Sequence, residues 1–221
     1  MDVLNQSYKE TKLVKRGLEK TTGIMKELAD WIKQEFDTKV LHIYYDRIEI
    51  DKNRPRLDII FEYQNEMLGF TVDGLSFNSK KQNTIANKFK EILIIYDLTK
   101  NFDTENLLVI FSAFEPEARI EANWAITKKE IKQLKERLAD KNVWEVYQNS
   151  STTTIFFYTN KQIQESISNG LAEIIKEKYF LLLKKHDEFD YIKANDNFIE
   201  FDSKENFETI YKGNWFYYYK R

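Results

Sequence analysis

The chain has no cysteine, which excludes disulfides, thiolate metal sites and cysteine nucleophiles and points to a reducing cytoplasm. Its six glycines and two prolines leave little for a phosphate-binding glycine loop and imply regular elements with short connections. Two histidines, His42 and His186, stand too far apart in sequence to suggest a zinc site. No apolar run approaches the roughly 20 residues of a membrane-spanning helix. The opening MDVLNQSYKETKLVKRGLEK has no continuous apolar core of the kind a signal peptide needs, so no membrane association is expected. No sign of charge dominates: the net charge is −2, where a dedicated nucleic-acid binder shows a basic excess. No Walker loop, GxGxxG or Ser/His/Asp arrangement occurs. No cofactor, metal or enzymatic activity is therefore expected.

What is present is apolar and aromatic. Hydrophobic residues make up 42% and charged residues 32%, a globular balance with material for a core, and there are 16 Phe and 13 Tyr. After a Lys-rich start, read as an N-terminal extension over residues 1–21 with a frayed helix, Ile24, Leu28, Trp31, Ile32 and Phe36 fall on one helical stripe. Val40 to Ile50 and Arg56 to Tyr63 read as strands across a turn at Asp51-Lys52-Asn53, and Leu68 to Phe77 as a third strand. A second helix is expected from about Gln82 to Leu98, with Ile85, Phe89, Ile92, Leu93 and Tyr96 inward. Asn106 to Thr127 then reads as a hairpin turning near Glu115-Pro116.

The remainder repeats that order in shortened form. A helix carries Ile131, Leu134 and Leu138, and a hairpin from Val143 to Thr159 turns at Asn149-Ser150-Ser151. A long helix from about Lys161 to Lys185 is weakened at Ser168-Asn169-Gly170, and Asn197 to Lys220 reads as a closing hairpin. Laid over the central stretch at one offset (214 − 123 = 91), Ser112 meets Ser203 and Asn123-Trp124 meets Asn214-Trp215. The expected fold is α+β. It has two similar halves, 22–127 and 128–221, each running helix, strands, helix, hairpin, with antiparallel sheets and helices packed on one face. The two halves are expected to pack as one unit.

Two chemical readings compete with simple binding. Glu62-Tyr63-Gln64, with Asp58 or Asp51 as a further carboxylate, has the spacing of a metal-dependent nuclease of the PD-(D/E)XK type, but Gln64 stands where the lysine belongs. Trp215, Tyr217 and Tyr219 alternate with Phe216 and Tyr218, as a stacking platform for single-stranded nucleic acid would. Acidic residues around the central hairpin oppose phosphate binding there, so a nucleic-acid partner is not expected.

Those same carboxylates fit a basic protein partner. Glu115, Glu117 and Glu121 lie close to Phe114 and Trp124, giving aromatic anchors beside complementary charge. These five residues are the candidate binding site. The element order over residues 24 to 127 resembles that of YezG-type bacterial immunity proteins and of small secretion chaperones, a resemblance that implies an acidic, non-enzymatic binder of another protein. The expected function is a protein-binding module of inhibitor or immunity type, located in the cytoplasm.

Overall fold

The computed structural model describes residues 6–220, apart from Ile50, Lys52, Ser150 and Ser151. The expected turns at Asp51-Lys52-Asn53 and Asn149-Ser150-Ser151 therefore fall partly outside the described residues. So do the last residue of the strand expected to end at Ile50 and the start of the N-terminal helix. The chain forms two compact units, one ending at Glu117 and one beginning at Ala118. That division lies earlier than the Thr127 boundary expected.

The first unit contains α1 (Gln6–Lys15), α2 (Gly23–Phe36), β1 (Val40–Ile48), β2 (Arg54–Phe61), α3 (Gln64–Leu68), α4 (Ser79–Ile95) and β3 (Leu108–Ala113). Helix α5 (Phe114–Ala125) starts here and runs into the second unit. β1 and β2 form an antiparallel hairpin, and β3 lies parallel to β2. The sheet is thus mixed, not antiparallel. The expected third strand, Leu68 to Phe77, is absent as a strand. Asp73-Gly74 breaks it: Gly74 sits at φ +80°, and the Asp73 carboxylate accepts from Leu75 N (2.9 Å) and Ser76 N (2.6 Å). The chain leaves β2 through α3 and α4, and a crossover of that length returns the next strand parallel.

Helix α5 replaces the second arm of the central hairpin. Pro116 stands in its first turn, where a missing N–H costs no bond. Glu115 and Glu117 meet the positive end of the helix dipole there. Ala118, Ala122 and Ala125 favour helix, and the first two are buried.

One face of the sheet carries Ile43, Leu57, Ile59, Phe61, Val109 and Phe111 against α2 and α4, whose Leu28, Ile32, Ile85, Phe89 and Ile92 are fully buried. That stripe of α2 and those inward positions of α4 match the sequence reading, except Tyr96, which is exposed. The opposite face is covered as well. Helix α1 buries Ser7, Tyr8 and Thr11, stacks Tyr8 on Phe114 at 5.0 Å and pairs Lys15 with Glu62 at 2.5 Å. Helices therefore lie on both faces, and β2 is buried on both.

The second unit contains α6 (Lys128–Leu138), β4 (Val143–Gln148), β5 (Thr153–Phe157), α7 (Asn160–Ser168), α8 (Leu171–Lys184), β6 (Ile199–Ser203), α9 (Lys204–Thr209) and α10 (Trp215–Tyr219). The expected long helix is two: Gly170 at φ +80° separates them, and Asn169 Oδ1 caps Leu171 N at 3.0 Å. The closing hairpin is one strand followed by two short helices. Ser203 and Asn214 cap those helices with their side chains and so end the extended chain.

β4 and β5 are antiparallel and β6 is parallel to β5, the arrangement of the first unit. Even the register irregularity recurs, between Val40 and His42 and between Val143 and Glu145. The correspondence differs by one residue from that read in sequence. Phe61 pairs with Ala113 and Phe157 with Ser203, so the β3-to-β6 offset is 203 − 113 = 90. A one-residue slip moves a strand side chain to the other face, so Ser112 and Ser203 are not counterparts. Neither are the tryptophans: Trp124 is 42% exposed, whereas Trp215 packs among Trp144, Phe156 and Phe207.

Candidate functional site

The five residues singled out in sequence, Phe114, Glu115, Glu117, Glu121 and Trp124, all lie on helix α5. Phe114 is buried under Tyr8 and cannot serve as an exposed anchor. Glu115 sends its carboxylate back to the start of α3, where Oε2 accepts from Gln64 N at 3.4 Å, while its own N–H donates to Glu62 O at 2.9 Å. Glu117 is exposed at the edge of the small cavity beneath α1. The structure thus keeps Phe114, Glu115 and Glu117 together in the first unit, whereas Glu121 and Trp124 belong to the second.

Around Glu115 the first unit does present an acidic and apolar surface. Tyr63, Gln64, Asn65, Leu68 and Glu115 line an open pocket of about 580 Å³. Tyr63 is 43% exposed, and a hydrogen bond to Glu62, with the nearby charges of Glu115 and Glu66, pushes its phenol above the usual value. Glu66 also accepts from Tyr63 N at 2.9 Å, closing the first turn of α3.

From Leu68 the chain runs into the loop that replaces the expected strand. Val72 is 72% exposed and Leu75 is 90% exposed. The loop beneath them is well fixed. Val72 N donates to Ser76 O (2.9 Å), Asn78 N to Phe70 O (2.9 Å), and Gly74 N to Thr71 Oγ1 (3.1 Å). Phe70 is buried at its root, Phe77 meets Phe111 edge-on at 5.4 Å, and Lys81 bonds Gly69 O at 2.8 Å. Asp73 is held below the usual carboxylate range by the Ser76 and Leu75 N–H groups. Sequence reasoning missed this knob because Val72, Leu75 and Phe77 read as strand positions. The Asp73-Gly74 pair was the available signal.

The residues of the nuclease reading take other roles. Asp58 is buried and accepts from Ser112 Oγ at 2.7 Å, and burial raises its carboxyl to about 6. Arg56 is engaged by Asp46 through two bonds, Nε at 2.8 Å and a terminal nitrogen at 2.5 Å. Glu62 pairs with Lys15, Gln64 begins α3, and Asp51 lies 3.7 Å from Arg54. Among the described residues, no group of three or more His, Cys, Asp or Glu side chains is placed to hold a metal ion. His42 shares a hydrogen bond with Thr21 at 3.0 Å, and burial lowers its pKa. His186 lies 3.2 Å from Glu130, whose carboxyl the Thr127 N–H and hydroxyl hold at about 2.

The expected aromatic platform is not a strand face. In α10, Trp215 and Tyr219 stack inward on Tyr147 at 4.9 and 4.4 Å, so those rings spend their faces on one another. Phe216 and Tyr217 remain outside, 65% and 59% exposed. Among the described residues no helix is long and apolar enough to cross a membrane. The element order that carries the immunity-protein and chaperone resemblance also changes, because its third strand is a turn and its hairpin is a strand followed by a helix. No protein-family model, no curated protein and no solved structure matches the chain.

Proposed function

We propose that the chain is a non-enzymatic binding module, working in the cytoplasm, that captures and sequesters a basic protein partner. Its contact surface is the α3–α4 loop with the neighbouring carboxylates. The observation that carries this reading is the exposure of Val72 and Leu75 on a loop held by backbone and Asp73 hydrogen bonds. Isolated exposed apolar residues are ordinary. Two of them at the tip of a rigid loop, with Leu68 at 40% and Tyr63 at 43% beside them, form an anchor that folding does not require. Glu66 and Glu115 at the edge supply the charge that speeds encounter with a basic face.

The experiment is a comparative capture from host lysate with the full chain, the Val72→Ser/Leu75→Ser variant and Glu115→Gln. A protein retained by the wild type should be lost by the loop variant at unchanged melting temperature, since both side chains are exposed. Retention by Glu115→Gln should weaken, mainly at low salt. Equal retention by all three proteins, or recovery of nucleic acid alone, overturns the reading.

A further inference from the structure

The first unit also carries a basic groove, which none of the functional readings above uses. It runs along the exposed side of α2, between the chain leaving α1 and the start of β1, and holds about 400 Å³. Its floor is aliphatic, built from residues such as Ala29 and Val40. Its rim carries Lys20, Lys26, Lys33 and Lys39 against two carboxylates, Glu19 and Asp30. Asp30 is already paired with Lys26 at 2.5 Å. Lys20, Lys33 and Lys39 make no ion pair among the described residues, and all three are exposed. In a chain of net charge −2, four lysines against two carboxylates leave a local excess of two positive charges around this groove.

The layout selects among anions. Lys26 and Lys33 are seven residues apart on one helix, roughly 10 Å along its axis at 1.5 Å per residue. Lys39 lies beyond the end of α2 and Lys20 before its start. A single phosphate or carboxylate cannot reach cations so dispersed, whereas a chain with several negative charges can. No aromatic ring lines the groove, so bases would find no stacking surface. Lysine supplies point charges on flexible stems, suited to carboxylates in varied positions more than to a fixed two-pronged anion.

We propose that this groove docks an acidic peptide segment from a partner protein, with carboxylates meeting Lys20, Lys33 and Lys39 and one aliphatic side chain seated on the floor. The surface uses residues wholly different from the α3–α4 loop, so it stands or falls independently of that loop's role.

The test uses the full chain and a fluorescein-labelled, glutamate-rich ten-residue peptide with a central leucine, read by anisotropy at low and moderate salt. Comparison probes are the same peptide with serine for leucine and a ten-nucleotide oligothymidylate. The proposal expects saturable binding that weakens about tenfold or more in Lys33→Glu/Lys39→Glu, because each lost attraction becomes a repulsion. Lys132→Glu, on α6 in the other unit, should bind as the wild type does. The serine peptide should bind several-fold more weakly. Lys33→Ala/Lys39→Ala serves as the milder variant if charge reversal disturbs the melt, and it should weaken binding in the same direction. The proposal is overturned by no saturable binding, by equal binding to the lysine variants, or by tighter binding of the oligonucleotide. Indifference to the leucine overturns the apolar floor.

Discussion

Replacing Asp58 by asparagine separates burial from charge at a single position. Asp58 is 4% exposed in the middle of β2 and accepts from Ser112 at 2.7 Å. The cation nearest in sequence on its face, Arg56, is held by Asp46. Burial consequently raises the carboxyl from 3.8 to about 6, more than Ser112 and Arg56 lower it. A pKa higher in the folded than in the unfolded chain means that the native state keeps a proton the unfolded state has released. Stability then falls as pH rises from about 4 to about 6 and is level above that. The difference, 6 − 3.8 = 2.2, at about 1.36 kcal/mol per pH unit, places the loss by pH 7 at about 3 kcal/mol. Asparagine keeps the shape and an acceptor for Ser112 and has no charge to desolvate. Asp58→Asn should therefore gain about 1.5–3 kcal/mol at pH 7 and fall within about 0.5 kcal/mol of the wild type at pH 4. Glu130 and Asp190, both held at about 2, lose their contribution as pH falls below their ordinary values, in wild type and variant alike. The difference between the two proteins thus isolates Asp58. Urea titrations at pH 4, 5.5 and 7, read by hydrogen exchange in peptides of β1 to β3, give the comparison. A variant less stable at pH 7, or equally altered at pH 4 and pH 7, refutes the reasoning.

Two further outcomes check the packing. Trp215→Ala should destabilise the second unit by about 3–5 kcal/mol, because its ring contacts Trp144, Tyr147, Phe156 and Phe207, whereas Trp124→Ala should cost under about 1 kcal/mol; thermal melts of the two variants decide it. Gly170→Ala should lower stability by about 1–2 kcal/mol through backbone strain alone, since a Cβ there meets nothing within 4 Å and the φ is +80°; Gly170→Asn should recover part of the loss in the same melts.

Where the pattern was periodic, the sequence was legible. Ile24, Leu28 and Ile32 on α2, and Ile85, Phe89 and Ile92 on α4, are buried as their spacing requires, and the α+β class follows from them and from the strands at Val40 and Arg56. Two physical effects hid the rest. Short β-branched and aromatic runs serve strands and turns alike, so Val72 to Phe77 and Trp215 to Tyr219 read as strands until Asp73-Gly74 and the Asn214 cap are given weight. Burial of polar residues by a distant element leaves no periodic trace: nothing in the sequence around Asp58 announces that α1 covers that face with Ser7 and Thr11. In the candidate site, helix α5 in place of a hairpin arm sets Phe114 inward and Glu115 toward α3.

The mixed sheet has a consequence for the order in which the first unit assembles. β1 and β2 are neighbours in sequence and can pair early, but β3 reaches β2 only after the segment holding α3 and α4 has closed, with Ser112 and Asp58 54 positions apart. Until then β2 offers Leu57 to Phe61 along an open edge, a run of the kind that recruits strands from other chains. Asp58 interrupts that run with an ionised carboxylate at neutral pH in the unfolded chain, and a charge in such a place repels edge-to-edge pairing. The group that weakens the finished unit thus guards the unfinished one, and the substitution that stabilises the native state removes that guard during refolding.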